Sequence, residues 1–256
     1  MNRLKIGVRL EALGLPLRPA LAEANRLGIP GVRVDAAGDL SPNRLSETGR
    51  REFSHLLRSY KLELIALGCP LRRGLDAAED QQPRIEHVRK VMTLSFDLGP
   101  RVVIVEAGRV PGEGEDERGR LLTESLTALA AHGDRVGATL ALETGLESGE
   151  ALNAYLSRFD SGALAANLDP ANLLMHGFDP YASARALNRR VVRVDAKDAR
   201  VVGASRTAQE VPLGHGDIDW MQFLGVLEEI EYRGWLTIDR EGDAAAGVAF
   251  LHRLTG

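Results

Sequence analysis

Cysteine and long apolar runs are scarce in this sequence. Cys69 is the only cysteine among 256 residues, so the chain cannot form an internal disulfide bond. We expect Cys69 to be a small buried residue rather than a nucleophile, because no histidine stands close to it in sequence. No apolar run approaches the roughly 18 residues of a membrane-spanning helix, and the N-terminus has no apolar signal segment. These absences predict a cytoplasmic protein without a membrane partner.

Positive charge and aromatic side chains are also in short supply. Lys and Arg number 32 against 36 Asp and Glu, which gives a formal net charge of -4. A protein that grips phosphate backbones without regard to sequence needs a high density of Lys and Arg, so we do not expect a nucleic-acid partner. Aromatic residues make up 5% of the chain and hydrophobic residues 44%, so Val, Leu, Ile and Ala must fill the core.

Short strand-like runs alternate with helical patterns along the whole chain. The predicted strands are residues 5–9, 31–35, 62–67, 101–106, 139–143, 164–169, 191–195 and 235–239. The predicted helices are residues 19–27, 46–60, 82–98, 117–132, 149–159, 179–187, 219–232 and 244–254. Repeated strand-helix units favour a parallel sheet, and a barrel of eight units typically needs about 250 residues. The sequence therefore predicts an α/β fold, a single (β/α)8 TIM barrel that occupies residues 1–256 as one domain.

Most of the predicted strands end on an acidic residue. The acids are Asp35, Glu106, Glu143, Asp169, Asp195 and Asp239. In a barrel of this kind the carboxyl ends of the strands form the face that carries the active site. Carboxylates that converge there repel one another unless a bound cation, basic neighbours or raised pKa values relieve the repulsion. A plain alternative stays open, because Asp is also common where loops and helices begin.

Several basic residues stand close to these acids. Lys197 follows the seventh predicted strand, and we expect its ammonium group to lean over the pocket and hold a substrate hydroxyl, carboxylate or phosphate. Arg9, Glu11 and Arg33 also lie near strand ends, although the sequence does not show whether they point inward. His215 lies between two glycines of a predicted turn, where we expect it to face solvent.

The segments around the last four acids resemble one family. Residues 139–144 (TLALET), 168–173 (LDPANL), 191–220 and 236–241 (LTIDRE) are similar to the strand-end motifs of the xylose-isomerase-like TIM-barrel superfamily. This sugar-phosphate isomerase and epimerase group also contains the endonuclease IV type of DNA repair enzyme. Within residues 191–220, DAKD and GHGDID resemble the family's His-x-Lys-Asp and Gly-x-Gly-Asp-x-Asp motifs. The resemblance implies the same barrel fold.

The resemblance also implies a metal site built from four strand ends. Carried over position by position, its ligands are Glu143, Asp169, Asp195 and Asp239. Asp195 stands where the family has His, Asp239 where it has Glu, and Asn172 where it has the His of an Asp-x-x-His motif. A ligand set made only of oxygens suits Mg²⁺ or Mn²⁺ rather than Zn²⁺, which prefers nitrogen and sulfur. We therefore expect a divalent cation, Mn²⁺ or Mg²⁺, as cofactor.

The function implied by the resemblance is chemistry on a small carbohydrate. The leading prediction is an isomerase or epimerase of a sugar or sugar phosphate, which moves a proton beside a carbonyl with the help of a divalent metal. Glu143 would take the proton, Asp239 would return it, and Lys197 is the third expected catalytic residue. The residues expected to bind substrate are Asn172, Lys197, Asp35 and Glu106.

Other functions remain open at this point. A dehydratase that acts on a polyol ketone would use the same groups. The substitutions at positions 172, 195 and 239 support a non-catalytic barrel that binds a sugar or metabolite and has a degenerate metal site. A metal-dependent endonuclease needs a His-rich zinc cluster, which the predicted strand ends lack, so we do not expect one. The sequence leaves open which sugar is bound and whether the chain forms a homo-oligomer.

Overall fold

The predicted strands close into a parallel barrel in the computed structural model, which describes residues 4–112, 114, 116–202, 207–242 and 244–255. The strands are β1 Lys5–Arg9, β2 Gly31–Asp35, β3 Glu63–Gly68, β4 Val102–Val105, β5 Thr139–Glu143, β6 Leu164–Leu168, β7 Val191–Ala196, β8 Asp198–Val202, β9 Thr207–Val211 and β10 Trp235–Ile238. Around the barrel the order is β1-β10-β7-β6-β5-β4-β3-β2, and β8 pairs with β9 in a separate antiparallel hairpin. The predicted fold class is confirmed.

Helices follow the barrel strands as the sequence predicts. They are α1 Leu17–Arg26, α2 Glu47–Ser59, α3 Gln81–Leu98, α4 Glu117–Val136, α5 Gly149–Leu156, α6 Pro170–Met175, α7 Pro180–Leu187, α8 Trp220–Glu229 and α9 Ala244–Thr255. Short 3-10 turns add Leu10–Leu13, Gly38–Leu40 and Asn188–Arg190. The short helix α6 and the β8–β9 hairpin were not predicted. No described helix combines the length and the apolar character that a membrane span requires.

Side-chain caps explain where many of the helices begin. The capping residues, whose side chains accept a hydrogen bond from a backbone N–H group of the first turn, are Ser46, Asp116, Ser148, Asp169, Asp179 and Asp219. Such caps satisfy N–H groups that have no partner inside the helix. One of the strand-end acids, Asp169, is also the cap of α6. The alternative interpretation, that Asp is common where helices begin, therefore applies to Asp169.

Alternate residues of each barrel strand face the helices or the lumen. On β2, Val32 and Val34 are buried in the large core between the sheet and the helices. Side chains in a strand point to opposite faces in turn, so Gly31, Arg33 and Asp35 of the same strand face the lumen. This period of two places charged residues inside the barrel without disturbing the apolar layer outside it.

The lumen is packed at the amino end of the strands. Trp235 is 6% exposed, and a Cβ atom on Gly31 would lie 2.3 Å from its ring, so the ring needs a glycine beside it. The Arg193 side chain donates a 3.0 Å hydrogen bond from Nε to the carbonyl oxygen of Ile65. A small apolar cluster adds Ala66, Val102, Ile104 and Ala141. These contacts pack the lumen next to the amino ends of the strands.

Candidate active site

A cavity opens at the carboxyl end of the barrel. Its volume is about 180 Å³, room for roughly six water molecules at about 30 Å³ each. Its lining includes Arg9, Arg33, Asp35, Cys69, Leu71, Ile104, Glu106, Glu143, Lys197 and Asp239. A wider groove of about 420 Å³ on the outer helices contains none of the predicted site residues. The small cavity at the strand ends suits a single small polar molecule.

Three carboxylates converge beside this cavity. Glu143, Asp169 and Asp195 each offer one oxygen atom, and these oxygen atoms lie within 4.8 Å of one another. Asp169 and Asp195 are 0% exposed. Burial raises the pKa of Glu143 well above its usual range, and the charges of Asp195 and Asp169 raise it further. Burial also raises the pKa of Asp195 to about 6, against the opposing effect of Arg33.

Asp239, the fourth predicted ligand, lies outside this group of three. Its Oδ1 accepts a 3.1 Å hydrogen bond from Arg9 Nη1, and its Oδ2 accepts a 2.5 Å hydrogen bond from Arg33 Nη2. Burial alone would raise the pKa of Asp239, but the charges of Arg33 and Arg9 outweigh burial and hold this pKa below its usual value. Asp239 is therefore an ionised carboxylate whose two oxygen atoms are both engaged by guanidinium groups.

Arg33 links the two halves of this acidic cluster. Its side chain starts on β2, is 4% exposed, and donates from Nη1 to Asp195 Oδ1 at 2.8 Å as well as from Nη2 to Asp239. Burial lowers the pKa of Arg33, but the charges of Asp195, Asp239 and Glu143 raise it more, so the guanidinium stays charged. The group thus supplies one fixed positive charge between β7 and β10.

Lys197 supplies a second cation at the mouth. Its Nζ lies 3.0 Å from Asp169 Oδ2 and 3.3 Å from Glu210 Oε2 on β9. Burial lowers the pKa of Lys197, but the charges of Asp169, Asp195 and Glu210 raise it more, so the ammonium remains protonated. Glu210 also lies 3.5 Å from Arg240, which ties the hairpin to the loop after β10. The hairpin therefore helps to hold Lys197 over the acids.

Two amide side chains orient the carboxylates. Asn172 donates from Nδ2 to Glu143 Oε1 at 3.0 Å, and Asn167 donates from Nδ2 to Asp195 Oδ2 at 2.7 Å. The backbone N–H of Asn172 donates to Asp169 Oδ1 at 2.8 Å. Asn172, predicted to bind substrate, is not among the residues that line the cavity and reaches it through Glu143. Its position beside two acids still depends on the Asp-x-x-Asn spacing that starts α6.

The remaining predicted substrate residues form the other wall of the cavity. Asp35 accepts a 2.6 Å hydrogen bond at Oδ2 from Arg9 Nη2, and its backbone N–H donates to Glu11 Oε1 at 2.8 Å. Glu106 is exposed, and no described residue forms an ion pair with it. Glu106 is therefore the lining acid best placed to accept hydrogen bonds from a bound hydroxyl.

Asp198 organises the loop that follows the hairpin. This buried carboxylate accepts hydrogen bonds from the backbone N–H groups of Ala199, Gly214, Gly216 and Ile218, and from the indole N–H of Trp220. A Cβ atom on Gly216 would lie 2.0 Å from Asp198 Oδ1, so the turn requires glycine there. His215 is exposed in this turn, as the sequence predicts. Asp198, the second Asp of the DAKD motif, thus orders the loop.

The sequence alone assigns no role to Arg9 or Arg33. The signal that would have placed Arg33 is its position between Val32 and Val34, because a strand whose alternate residues enter the core must send Arg33 the other way. Arg9 stands in the same relation to Val8 on β1. Their acceptors could not be read from the sequence, because these depend on which strands face one another across the closed barrel.

The donor set fits a divalent ion at three of the four predicted ligands. Glu143, Asp169 and Asp195 offer only carboxylate oxygens, the ligands that Mg²⁺ and Mn²⁺ prefer. Their mutual repulsion, visible in the raised pKa of Glu143, is the condition that a cation relieves. Asp239 is held by two guanidinium groups instead. These three acids could therefore bind a metal ion.

Comparison with known proteins places this geometry in a family. A family model described as a xylose isomerase-like TIM barrel matches residues 21–254. The uncharacterized protein YfiH of Bacillus subtilis is 25% identical over 93% of this chain and 93% of its own length. An inosose dehydratase of Clostridium beijerinckii is 23% identical over 62% of this chain and 63% of its own length.

Solved structures share the same fold over nearly the whole chain. A xylose isomerase domain protein from Planctomyces limnophilus has a TM-score of 0.86 at 24% identity and covers 98% of this chain and 97% of its own. A D-tagatose 3-epimerase-like protein has a TM-score of 0.81 at 18% identity, with 98% and 97% covered. A xylose isomerase-like TIM barrel protein from Mycobacterium smegmatis, solved in complex with magnesium, has a TM-score of 0.75 at 16% identity, with 99% and 96% covered.

Proposed function

Because the chain belongs to the xylose isomerase-like TIM-barrel family, we propose that it is an isomerase or epimerase of a small carbohydrate. The observation that carries the proposal is Glu143, a carboxylate of raised pKa at the cavity, with Asp169 and Asp195 beside it. Two proteins of the same fold are named as a D-tagatose 3-epimerase-like protein and a D-psicose 3-epimerase, names that indicate sugar substrates. A third was solved with magnesium. We assign Mg²⁺ or Mn²⁺ to the three carboxylates.

The proton is carried by Glu143 in this proposal. When bound, the metal ion would polarise the substrate carbonyl and so make the neighbouring C–H bond more acidic. Glu143 takes that proton, the electron pair of the C–H bond shifts towards the carbonyl oxygen, and the proton returns to the same or the adjacent carbon. A raised pKa brings the carboxyl group closer to neutral pH, where an acid-base catalyst works best. The Asn172 amide fixes the direction of the carboxylate.

The other charged groups have supporting parts. Lys197 Nζ, 3.0 Å from Asp169, is a fixed cation that can hold a substrate hydroxyl or balance charge on the carbonyl oxygen. Asp239 is the weaker candidate for proton transfer, because both of its oxygen atoms already accept guanidinium hydrogen bonds. In the proposal it returns the proton only if a bound substrate displaces one of these donors.

The charge of the cavity favours an unphosphorylated sugar. Its three lining cations, Arg9, Arg33 and Lys197, each already face at least two carboxylates. A phosphate group needs cations or N–H donors that are free to bind it, and these cations are committed to acids. We therefore propose a free sugar or polyol ketone rather than a phosphate ester.

Hydrogen exchange tests the proposed chemistry. Incubation of the protein with Mn²⁺ and a panel of ketoses and aldoses in D₂O should place deuterium at the carbon beside the carbonyl of a substrate. Glu143→Gln keeps the side-chain size but cannot accept the proton, so exchange should fall by the factor of about 10² to 10⁴ that general-base catalysis contributes. Mass spectrometry or proton NMR of the recovered sugar measures the exchange rate.

The controls separate a lost base from a lost metal. Glu228→Gln removes an exposed acid on α8 that does not line the cavity, so this variant should retain the exchange. Bound Mn²⁺ must be measured in Glu143→Gln, because a lost ion would also abolish exchange. Exchange in Glu143→Gln at the rate of the parent protein would refute the assignment of the base. A sugar that raises the melting temperature without any exchange would instead support a binding protein.

A dehydratase is the second candidate function. Three sequence relatives are named inosose dehydratase, and loss of water needs a charged group to help a hydroxyl leave after the proton is removed. Lys197, protonated beside Asp169, is the group that could do so. The mass of the product decides between the two, because an epimer keeps the mass of its substrate whereas a dehydration product is lighter by one water.

A further inference from the structure

Arg33 occupies a position that divides the four predicted metal ligands into two unlike groups. Its two terminal nitrogen atoms donate to Asp195 Oδ1 at 2.8 Å and to Asp239 Oδ2 at 2.5 Å. Its side chain is 4% exposed, and those of its two acceptors are 0% and 6% exposed. The guanidinium is thus a buried cation with two carboxylates in hydrogen-bond contact, an environment similar to that of a bound metal ion.

The second arginine strengthens this division. Arg9 donates to the other oxygen of Asp239 at 3.1 Å and to Asp35 at 2.6 Å, so Asp239 has no oxygen atom without a guanidinium donor. Asp195 differs, because the amide of Asn167 donates to its second oxygen. An amide carries no charge, and a carboxylate oxygen has a further lone pair with which it can bind an ion. Asp195 can therefore still face Glu143 and Asp169.

We infer that Arg33 is a resident cation that removes Asp239 from the metal-binding set, so that a divalent ion at this site is held by Glu143, Asp169 and Asp195 only. A divalent ion that also reached Asp239 would have to sit against the guanidinium, where like charges repel in a buried site of low dielectric constant. The inference deepens the proposed function. It rests on that function only for the assignment of a divalent ion to these carboxylates. It assigns Arg33 as a determinant of metal affinity and ligand number.

The physical consequence is a site with weaker metal binding than its four carboxylates would suggest. With Arg33 in place, three carboxylates and water complete the coordination of Mg²⁺ or Mn²⁺, both of which commonly keep water ligands. Without the guanidinium, Asp239 and Asp195 lose a shared cation and become a pair of like charges close to the other two acids. A divalent ion would then restore the balance, and its affinity should rise.

A double-mutant cycle on Mn²⁺ binding tests this inference. The four proteins are the parent, Arg33→Met, Asp239→Asn and the double variant, and free Mn²⁺ is measured by electron paramagnetic resonance during titration. Arg33→Met should tighten Mn²⁺ binding by about 10- to 100-fold, the size of effect that groups next to metal ligands have on affinity. Asp239→Asn should change the affinity of the parent much less than it changes that of Arg33→Met, because Asp239 is not a ligand while Arg33 holds it. In the Arg33→Met background it should reverse most of the gain.

Either of two results would overturn the inference. One is an Arg33→Met protein that binds Mn²⁺ no more tightly than the parent. The other is an Asp239→Asn protein that loses as much affinity in the parent as in the Arg33→Met background, because Asp239 would then be a ligand in the presence of Arg33. Should Arg33→Met fail to fold, as judged by circular dichroism, Arg33→Lys takes its place in the cycle, and both criteria are applied with that background. Lysine keeps the charge but cannot bridge both acids, so a smaller gain in affinity is expected.

The outcome is independent of whether the proposed sugar chemistry is correct. The cycle measures only the ion, so absence of deuterium exchange would remove the proposed reaction and leave the role of Arg33 standing. A parent protein that binds no Mn²⁺ up to the highest concentration used, beside an Arg33→Met variant that does, would support the inference and withdraw the metal from the proposed function.

Discussion

Glu147 shows what burial does to a single acid outside the cavity. It lies between β5 and α5, is 9% exposed, and accepts a 3.2 Å hydrogen bond from the backbone N–H of Val110. Burial raises the pKa of Glu147 to about 7, and the Val110 N–H and Arg109 lower it only in part. The ordinary pKa is 4.5, so between pH 4.5 and about 7 the folded protein keeps a proton on Glu147 that the unfolded chain has already released. The contribution of Glu147 to the stability of the protein should therefore be fully present below pH 4.5 and should be lost as the pH rises through about 7.

Replacement of this acid by an amide should flatten the pH dependence. Glu147→Gln cannot ionise, so the free energy of unfolding should fall less between pH 5 and pH 8 than in the parent, by up to about 3 kcal/mol. Urea unfolding at both pH values measures the difference. The exposed acid Glu228 on α8 provides the matched variant, Glu228→Gln, which should follow the parent. Equal losses of stability in Glu147→Gln and the parent would show that Glu147 ionises freely in the fold.

At the scale of elements, the β8–β9 hairpin and its following turn depend on one carboxylate. Asp198 accepts hydrogen bonds from the backbone N–H groups of Ala199, Gly214, Gly216 and Ile218 and from Trp220 Nε1. These contacts join the start of the hairpin to the start of α8. The arrangement explains why an acid follows Lys197 directly, because the fold of the loop and the position of the ammonium group are set by adjacent residues.

Loss of that acceptor should destabilise the protein. Asp198→Asn replaces one carboxylate oxygen by an amide nitrogen, which cannot accept, so we expect a loss of about 3 kcal/mol from unpaired buried N–H groups. Thermal unfolding followed by circular dichroism measures it. Asp217→Asn is the matched control, because exposed Asp217 accepts one hydrogen bond among the described residues, from Val201 N at 2.8 Å, and its loss should cost less than about 1 kcal/mol. Similar losses in the two variants would contradict the organising role of Asp198.

The elements also show how far the sequence could be interpreted. Barrel strands such as β2 and β5 were predictable because their apolar residues alternate with inward ones and an acid follows. The hairpin was missed because DARVV and TAQEV are short and mix charged with apolar residues, which gives no clear period. Helix α6 was missed because Asp169-Pro170 was interpreted as a strand end, although Asp followed by Pro is also typical of a helix start.

The candidate site divides in the same way. The acids could be predicted because each stands at the end of a strand, and strand ends meet on one face of a barrel. The ion pairs of Arg33 could not, because they join β2 to β7 and β10 across the lumen. Contacts of that kind depend on the closure of the barrel and on side-chain reach, neither of which leaves a local pattern in the sequence.

At the scale of the whole molecule, the metal site should couple to global stability. An ion that binds the folded chain alone stabilises it by about 2.7 kcal/mol at 100 times its dissociation constant, which corresponds to a rise of about 5 to 10 °C in melting temperature. Mn²⁺ should produce this shift near pH 7.5. The shift should fade below about pH 6, because the pKa of Asp195 is raised to about 6 and a protonated carboxyl group is a poor ligand.

Differential scanning calorimetry with and without Mn²⁺ measures the coupling. Asp169→Asn removes one of the three convergent carboxylates and should abolish the shift, whereas Glu106→Gln should keep it. A melting temperature that does not respond to millimolar Mn²⁺ at pH 7.5 would remove the ion from the proposed function. A shift of equal size at pH 5.5 would show that ligands other than these carboxylates hold the metal.

The packing of Trp235 against Gly31 affects how a small molecule can reach the acids. The ring packs into the lumen at the amino end, whereas the cavity that contains Glu143 and Asp239 opens at the carboxyl end. A small molecule that enters through this opening also leaves through it. In the proposed reaction, substrate and product would therefore compete for the same opening.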